Sequence, residues 1–140
     1  MTNQEIKCVL ILDESLPAGI LANTAAILGI TLGRQAPECI GRDVMDASGH
    51  VHMGIVTLPV PILKGNREML KALRKKLYTS DYSDLTVVDF SDVAQGCNTY
   101  DDYMRKAKST GETDFTYLGI ALYGSKKKIN KLTGSLPLLR

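Results

Sequence analysis

Apolar and polar positions along the chain fall into blocks that predict alternating strands and helices. Residues 6–12 are apolar except for Lys7, which is typical of a central strand covered on both faces. Residues 15–33 carry no charged side chain, and their apolar positions recur at helical spacing. We therefore expect a turn after this strand and then a buried helix over residues 20–33, with Gly33 as its C-terminal cap.

The remaining blocks predict three more strands and three more helices. Pro59 and Pro61 cannot donate ladder hydrogen bonds, so the strand that contains them belongs at a sheet edge. The segments are a hairpin over 43–52, the proline-containing strand over 55–63, a helix over 67–78 opened by Gly65 or Asn66, a strand over 85–90, a helix from Thr99 to about Lys108, a strand over 115–123 and a helix over 126–132 capped by Ser125. This order predicts one α/β domain over residues 1–140, with a mixed, mostly parallel sheet.

Composition and charge exclude few functional classes. The chain has 140 residues, of which 44% are apolar and 23% are charged, as in an ordinary globular domain. A formal net charge of +2 permits a polyanionic partner without demanding one. Residues 15–33 include Pro17 and Asn23 and follow a strand, so they do not suit a membrane span. We expect neither a membrane nor DNA as a partner.

The three cysteines indicate where the protein works. Cys8, Cys39 and Cys97 are too few and too scattered for a disulfide framework or a zinc-binding pair, and they fit a reducing compartment. The N-terminal residues show no signal-peptide pattern. We therefore expect a cytoplasmic protein without a cofactor.

The last strand and the tail carry the most specific pattern. Tyr117-Leu-Gly-Ile-Ala is followed by Ile129-Asn-Lys-Leu-Thr-Gly and then by a Leu-Pro-Leu-Leu-Arg ending. These residues resemble the end of type II peptidyl-tRNA hydrolases, which close with a Leu-Gly-Ile strand, a Lys-(Val/Leu)-Thr-Gly helix end and a Leu-x-Leu tail. Residues 7–12 resemble the first strand of those enzymes, and Val87-Val-Asp89 resembles the strand that carries an active-site Asp.

The whole sequence also resembles a bacterial family of similar length, whose function is unknown and whose fold is hydrolase-like. The shared features are an Asn-x-x-Ala after the first turn, a Tyr-Asp-x-Tyr and the Leu-Thr-Gly-Ser-Leu-Pro-Leu-Leu-Arg ending. The two resemblances together imply a three-layer, peptidyl-tRNA hydrolase II-like domain with a four-stranded sheet and a small hairpin insertion. They also imply a homodimer.

The departures from the hydrolase pattern concern catalysis. Type II hydrolases carry a Gly-Lys pair in the first turn, and the corresponding pair here is Gly19-Ile20. No lysine occurs between Lys7 and Lys64. The Gly-Arg-Thr-Gln that follows the hydrolase Asp is replaced by residues 91–95, which end in Gln95. The ammonium group that would position a substrate or stabilise an oxyanion is therefore missing.

Two residues are candidates for catalysis. Asp89 ends a predicted strand, where α/β folds place their sites, and its alternative role is a helix cap or an ion pair with a C-terminal lysine. Asn23 is the only strongly polar side chain in the first turns of the first helix. We expect it to be buried among apolar residues, where its amide either bonds a neighbouring loop or recognises a ligand.

Further residues are candidates for ligand binding. Gly19 in the first turn and Gln95 after Asp89 occupy positions that match the hydrolase site. Lys128, Lys131 and Thr133 belong to the C-terminal motif and, with the lysines around them, could hold a phosphate. A solvated lysine-rich surface is the simpler interpretation.

Two other groups favour structural interpretations. His50 and His52 alternate on a hairpin strand and could bind a metal with Asp46, but a solvated hairpin is the better interpretation, and we expect no metal. Cys97 has no histidine near it in sequence to activate it as a nucleophile.

Two functional hypotheses follow from the sequence. The favoured one is a binding protein for a small molecule or an RNA end, on a hydrolase-like fold that has lost the catalytic lysine. The alternative is a divergent hydrolase of an ester or amide that uses Asp89 and Asn23.

Overall fold

The computed structural model describes residues 5–140. This part of the chain contains six strands and five α-helices. They are β1 (Ile6–Asp13), α1 (Ala18–Gln35), β2 (Val44–Met45), β3 (Val51–His52), β4 (Ile62–Gly65), α2 (Arg67–Leu77), β5 (Thr86–Ser91), α3 (Asp92–Gln95), α4 (Tyr100–Lys108), β6 (Tyr117–Ser125) and α5 (Lys126–Thr133).

Strand β1 lies inside the sheet and is covered on both faces, as its apolar sequence predicts. Val9 and Ile11 point to one face, where they pack with side chains of α2 and α5. Cys8, Leu10 and Leu12 point to the other face, where they pack against α1. Alternate side chains of one strand thus supply both layers of the core, which places helices on the two sides of a central sheet.

The sheet is mixed, and its four strands have the order β4-β1-β6-β5. Strands β1 and β4 are parallel, whereas β6 is antiparallel to both of its neighbours, β1 and β5. The expected mixed sheet is therefore confirmed, but the expectation of mostly parallel pairing is wrong. Three strands do share one direction, yet β6 lies between two of them and makes two of the three pairings antiparallel.

Gly119 in β6 explains why the Leu-Gly-Ile sequence suits this sheet. It lies in the row Leu12–Gly119–Phe90, directly beneath α1. A Cβ atom here would lie 2.6 Å from the Leu12 side chain and 2.9 Å from the Thr24 side chain. The glycine therefore allows α1 to pack closely on the middle of the sheet.

Helix α1 is longer than the sequence indicated. It begins after Pro17 and continues past Gly33 to Gln35, and Ala36 is its C-cap. The prediction that Gly33 caps this helix is therefore wrong. Leu28 and Leu32 are fully or nearly buried beneath the helix, and this packing on the sheet offsets the cost of about 1 kcal/mol that a glycine imposes in a helix.

Helices α2, α4 and α5 begin where the sequence indicated, whereas the short helix α3 lies in a segment for which no helix was predicted. Asn66, Thr99 and Ser125 accept hydrogen bonds from backbone amides of the first turns of α2, α4 and α5, at 2.8, 3.1 and 3.3 Å. Of the two residues considered for the start of α2, Asn66 is therefore the cap. Side-chain caps of this kind typically contribute about 1 kcal/mol each.

The proline-containing strand is shorter and begins later than predicted. Residues 55–61 form an extended loop that makes one isolated bridge, between Ile40 and Val56. Pairing with β1 starts at the carbonyl of Pro61, which accepts a 3.0 Å hydrogen bond from the amide of Leu10. The two prolines delay the strand until Ile62, and β4 is an edge strand, as the sequence predicts.

The C-terminal tail lies along the outer edge of β4. The amide of Lys64 donates to the carbonyl of Pro137 at 2.9 Å, and the amide of Leu139 donates to the carbonyl of Ile62 at 2.8 Å. Leu136 and Leu139 are half-buried against the core. The Leu-Pro-Leu-Leu ending thus covers a sheet edge that would otherwise expose unpaired backbone groups.

The predicted hairpin is also present, formed by β2 and β3. It forms a two-stranded sheet of its own, with Val44 opposite His52 and Met45 opposite Val51. Gly49 takes a φ of +82°, which the tight turn requires.

Candidate functional site

Asp89 lies in the middle of β5, with two more strand residues after it. The expectation that it ends the strand is therefore wrong, because pairing with β6 continues through Ser91 across a register shift. Strand β5 is an edge of the sheet, and Asp89 is opposite Ile120 on the face that packs against α2. The carboxylate is thus held by the sheet rather than by a loop.

Arg74 of α2 is the ion-pair partner of Asp89. Its Nε donates to Oδ2 of Asp89 at 2.8 Å, and the two side chains are only 13% and 19% exposed. The guanidinium also lies over the ring of Tyr78, 3.9 Å from the ring centroid. The pair and the stacking fix both the charge and the direction of the carboxylate.

A cavity of about 460 Å³ lies beside Asp89, and we call it the Asp89 cavity. Its walls come from α1, from the edge strand β5 and from the segment that joins α3 to α4. The lining residues are Ile27, Thr31, Val88, Asp89, Phe90, Ala94, Cys97, Asn98, Thr99, Tyr100 and Tyr103. This volume is within the usual range for small-molecule sites.

Two tyrosines of α4 form the outer wall of the Asp89 cavity. The rings of Tyr100 and Tyr103 meet edge to face, with centroids 5.5 Å apart. Partial burial, together with the nearby charge of Asp89, raises the pKa of Tyr103 above its usual range. Tyr103 is therefore a neutral phenol at physiological pH and can donate its hydroxyl hydrogen.

Polar groups in the cavity are available to a ligand. Oδ2 of Asp89 receives the Arg74 bond, while Oδ1 accepts no hydrogen bond from any side chain or turn amide in residues 5–140. Asn98 supplies an exposed amide, and the Sγ of Cys97 is turned toward the carbonyl of Val93 at 3.1 Å. Asp89 is on the α2 face of β5, whereas Val88 and Phe90 are on the α1 face, and β5 is an edge strand. The arrangement therefore suits a ligand that reaches Oδ1 at the strand edge and places an aromatic or apolar body against α1 and α4.

Hydrogen bonds hold residues 112–117, at the start of β6, close to this site. Nζ of Lys71 donates to the carbonyls of Thr113 and Phe115, the latter at 2.7 Å. The hydroxyl of Tyr117 donates to Glu112 at 2.7 Å. Burial first, and then this bond to the Glu112 carboxylate, raise the pKa of Tyr117 far above its usual range. These bonds hold the entry to β6 next to Asp89.

A family model described as protein of unknown function (DUF2000) matches residues 6–140. The chain belongs to the DUF2000 family. The match covers nearly the whole chain, so the sheet, the Asp89 cavity and the tail all lie within the family domain. No curated protein matches the sequence.

This DUF2000 domain also resembles a solved structure, that of the protein of unknown function Atu0240 from Agrobacterium tumefaciens strain C58. The TM-score is 0.84 at 19% sequence identity, over 96% of this chain and 97% of the other. At this identity the likeness concerns the fold, which extends over the full length of both chains.

The turn after β1, which leads to the Gly19-Ile20 pair, is closed by its own hydrogen bonds. Oδ1 of Asp13 accepts from the amide of Ser15 at 3.0 Å and from its hydroxyl at 2.7 Å. An open depression of about 490 Å³ lies beside it, lined by Asp13, Glu14, Ser15, Asn66, Arg67 and Glu68. Gly19 follows in the first turn of α1 and is exposed.

Asn23 is not buried, so that prediction is wrong. It lies on the exposed side of α1, and Thr24, the next residue, points into the core instead. The helical stripe places Leu28 and Leu32 beneath α1 in register with Thr24, which turns Asn23 toward solvent. Asn23 is absent from the lining of the Asp89 cavity, so the structure does not bring the two candidate catalytic residues together there.

The predicted ligand-binding residues at the C-terminus have structural partners. Lys128 donates to Asp84 at 2.8 Å and to the carbonyl of Asp81 at 2.9 Å. Thr133 is buried, and its hydroxyl donates to the carbonyl of Ile129 at 2.8 Å. Lys131 and Gln95 are exposed and do not line the Asp89 cavity.

The hairpin histidines are not part of a metal site in the part of the chain that the structure describes. His52 is bonded to Asp46, with Nε2 2.7 Å from Oδ2. Across residues 5–140 no group of three or more histidine, cysteine, aspartate or glutamate side chains is placed to hold a metal ion. Within the same residues, no helix is long and apolar enough to cross a membrane.

Three residues of the site were not singled out by the sequence. They are Arg74, Tyr103 and Thr31. A usable signal existed for Arg74, which neighbours the inward-facing Leu70 and Leu73 on α2 and can therefore reach the sheet. No pattern in the sequence shows that α4 folds back over the edge of β5, so Tyr103 could not be found in this way.

Proposed function

We propose that this DUF2000 protein binds a small molecule in the Asp89 cavity. The ligand has an aromatic or apolar body and a group that donates a hydrogen bond to Asp89. The observation that carries the proposal is a carboxylate fixed by Arg74 at the wall of a cavity of about 460 Å³, with one of its oxygens free of side-chain donors.

The electrostatics of the cavity support a small molecule over an RNA end. No lysine or arginine is among the residues that line it, and the nearby Arg74 is already paired with Asp89, so the lining offers no free cation to a phosphate. Three cations of the domain already have bonds within the protein: Lys71 with backbone carbonyls, Arg74 with Asp89 and Lys128 with Asp84. The exposed lysines of α5 lie elsewhere, beside Ser125 and Asn130.

As part of the same proposal, the domain that carries this cavity has a fold like that of type II peptidyl-tRNA hydrolases. Support comes from the Leu-Gly-Ile sequence, whose Gly119 lies where α1 meets the sheet, and from the Leu-x-Leu tail, which covers an edge strand. The missing lysine in the first turn and the exposed position of Asn23 favour binding over hydrolysis.

A thermal-shift screen with a fragment library of aromatic alcohols, amines and amides tests the proposal. A bound fragment stabilises the native state by mass action, so hits raise the melting temperature. We expect Asp89→Asn to weaken the hits about tenfold or more, because it removes a charged acceptor, and Tyr103→Phe to weaken them less. Asp81→Asn is the matched control and should leave binding unchanged, because Asp81 is exposed and does not line the cavity.

Two outcomes would contradict the proposal. One is a screen without hits, and the other is a set of hits that bind Asp89→Asn and Tyr103→Phe as tightly as the original protein. Peptidyl-tRNA turnover by the purified protein, if abolished by Asp89→Ala and by Asn23→Ala, would favour the divergent hydrolase in its place.

A further inference from the structure

Exposed apolar side chains are concentrated in one region, away from the Asp89 cavity. Within residues 5–140, eleven large apolar side chains are exposed. Six of them lie between residues 40 and 55, and they are Ile40, Val44, Met45, Val51, Met53 and Ile55. A cluster of this kind on one short segment is unusual for a surface that faces only water.

This segment forms a hairpin that we call the arm, residues 42–54. Met45 and Val51 are opposite each other and share one face, and Met53, two residues on from Val51, extends that face. Met45 is 71% exposed, Val51 60% and Met53 85%, so the apolar face of the arm has no cover from its own chain. A two-stranded hairpin of this length is marginal in water without such cover.

Polar bonds on the other side give the arm its shape. Asp46 accepts hydrogen bonds from the amides of Ser48 and His50 at 2.9 and 3.0 Å and from His52 at 2.7 Å. The amide of Gly54 donates to Asp43 at 2.9 Å and closes the base. The hydrogen bonds of the arm are thus formed within the arm itself, while its apolar face is exposed to solvent.

A groove of matching character begins where the arm ends. It has a volume of about 400 Å³ and no charged residue in its lining. The lining residues are Cys8, Leu10, Ala25, Ala26, Gly29, Leu32, Gly33, Cys39, Ile40, Val56, Val60 and Ile62. Along its rim, α1 exposes Ile30 at 76% and the small residues Ala22 and Ala26, in a helix that has no charged side chain before Arg34.

We propose that a second copy of this chain covers these surfaces, with the arm of each protomer seated in the groove of the other. One chain carries both an apolar projection and an apolar groove, and Ile40 and Val56 join them at the base of the arm. A two-fold axis near this junction would satisfy both arms and both grooves at once, which is the closed symmetry of most homodimers.

The first test is the oligomeric state in solution. We expect the original protein to be a dimer in sedimentation equilibrium and in size exclusion with light scattering. Met45→Asp/Met53→Asp places two charges on the apolar face and should weaken association about 100-fold or more. Met104→Asp is the matched control, because Met104 is 59% exposed on α4, outside both the arm and the groove.

The second test distinguishes exchanged arms from a simple face-to-face contact. Ala26→Arg blocks the groove at an exposed helix position and should also give a monomer. The groove variant Ala26→Arg is then mixed with the arm variant Met45→Asp/Met53→Asp, each carrying a different tag. The mixture should form a heterodimer, because the intact arm of the groove variant can enter the intact groove of the arm variant. Circular dichroism and the melting temperature of each variant show that it is folded.

Three results would overturn the proposal. The first is that the original protein is a monomer at 100 μM or above. The arm variant could stay as dimeric as the Met104→Asp control. The mixture could fail to form a heterodimer although both variants are folded monomers.

Discussion

The two edges of the central sheet are treated in opposite ways. At the β4 edge the C-terminal tail bonds to Lys64 and Ile62 through its backbone and packs Leu136 and Leu139 against the core. At the β5 edge no strand is added in the described structure, and Val88, Asp89 and Phe90 line a cavity instead. One edge is closed by the chain itself, and the other is left open beside a fixed charge.

The difference shows that one sheet edge is covered by residues that stabilise the fold, whereas the other leaves a surface for another molecule. Unpaired strand edges invite association, and proteins usually cover them. The tail provides such cover with five residues, whereas the longer segment between β5 and β6 builds walls around the other edge without filling it. The predictions below test this contrast, beginning with the largest expected effect.

Removing the tail should have the largest effect. A chain that ends at Gly134 loses the two backbone hydrogen bonds that the tail makes to β4 and the partial burial of Leu136 and Leu139. We expect the free energy of unfolding to fall by about 3 kcal/mol, from about 1 kcal/mol per hydrogen bond and a further contribution from the two leucines. Urea unfolding followed by circular dichroism measures the loss.

A single substitution in the tail provides the control. Leu138 is 45% exposed, so Leu138→Ser should change the stability by no more than about 0.5 kcal/mol. A truncated chain as stable as this variant would show that the tail does not close the β4 edge.

Breaking the ion pair at the β5 edge should have a smaller effect. Arg74→Met leaves Asp89 without its partner in a partly buried site, and we expect a loss of about 2 kcal/mol, less than for a fully buried pair. Arg74→Met/Asp89→Asn should recover part of the loss, which a double-mutant cycle would report as coupling.

The exposed pair of Lys128 and Asp84 is the matched comparison. Its side chains are 39% and 58% exposed, so the same cycle there should show little coupling. Equal coupling free energies for the two pairs would contradict a stronger interaction of Asp89 with Arg74 than of Asp84 with Lys128.

Thiol labelling should report the same contrast without any substitution. Cys8 and Cys39 lie on the β4 side and are 2% and 6% exposed, whereas Cys97 lines the Asp89 cavity and is half-buried. A maleimide at neutral pH should label Cys97 about 100-fold faster, because the other two react only after local opening. Mass spectrometry of digested samples gives the three rates. Equal rates would contradict the burial of Cys8 and Cys39.

The buried thiol also predicts a dependence of stability on pH. Burial, with a smaller contribution from Cys39, raises the pKa of Cys8 to about 11. The pKa of this thiol is about 8.5 in the unfolded chain, which is lower than in the folded protein. The stability that Cys8 contributes is therefore fully present below about pH 8.5 and is lost as the pH rises toward 11. Urea unfolding at pH 8 and pH 10.5 should show the fall, and Cys8→Ala should reduce it.

Much of the fold could be predicted from the sequence, because its elements are marked locally. The apolar run of β1, the caps at Asn66, Thr99 and Ser125 and the prolines before β4 each act through their own neighbours. The direction of β6 could not be predicted, since pairing across the sheet depends on contacts between distant segments.

The site was predictable only in part, for the same reason. Asp89 was found because it belongs to a strand pattern, but its partner Arg74 comes from another element. Asn23 was misplaced by one helical position: the buried side chain of this stretch is Thr24, whose methyl group lies over Gly119. A helix with no charged residue before Arg34 does not reveal which of its faces is turned to solvent, and α1 has apolar side chains on both.

The most direct test of the central claim is to map a bound fragment by NMR. A hit from the thermal-shift screen is titrated into ¹⁵N-labelled protein, and amide shifts are followed in both edge regions. We predict the largest shifts at Val88, Asp89 and Phe90 and between Cys97 and Tyr103, with Ile62, Leu63 and Lys64 unchanged. Hits whose shifts fall on the β4 side, in the groove beside Cys8 and Cys39, would contradict the claim that the open β5 edge is the binding site.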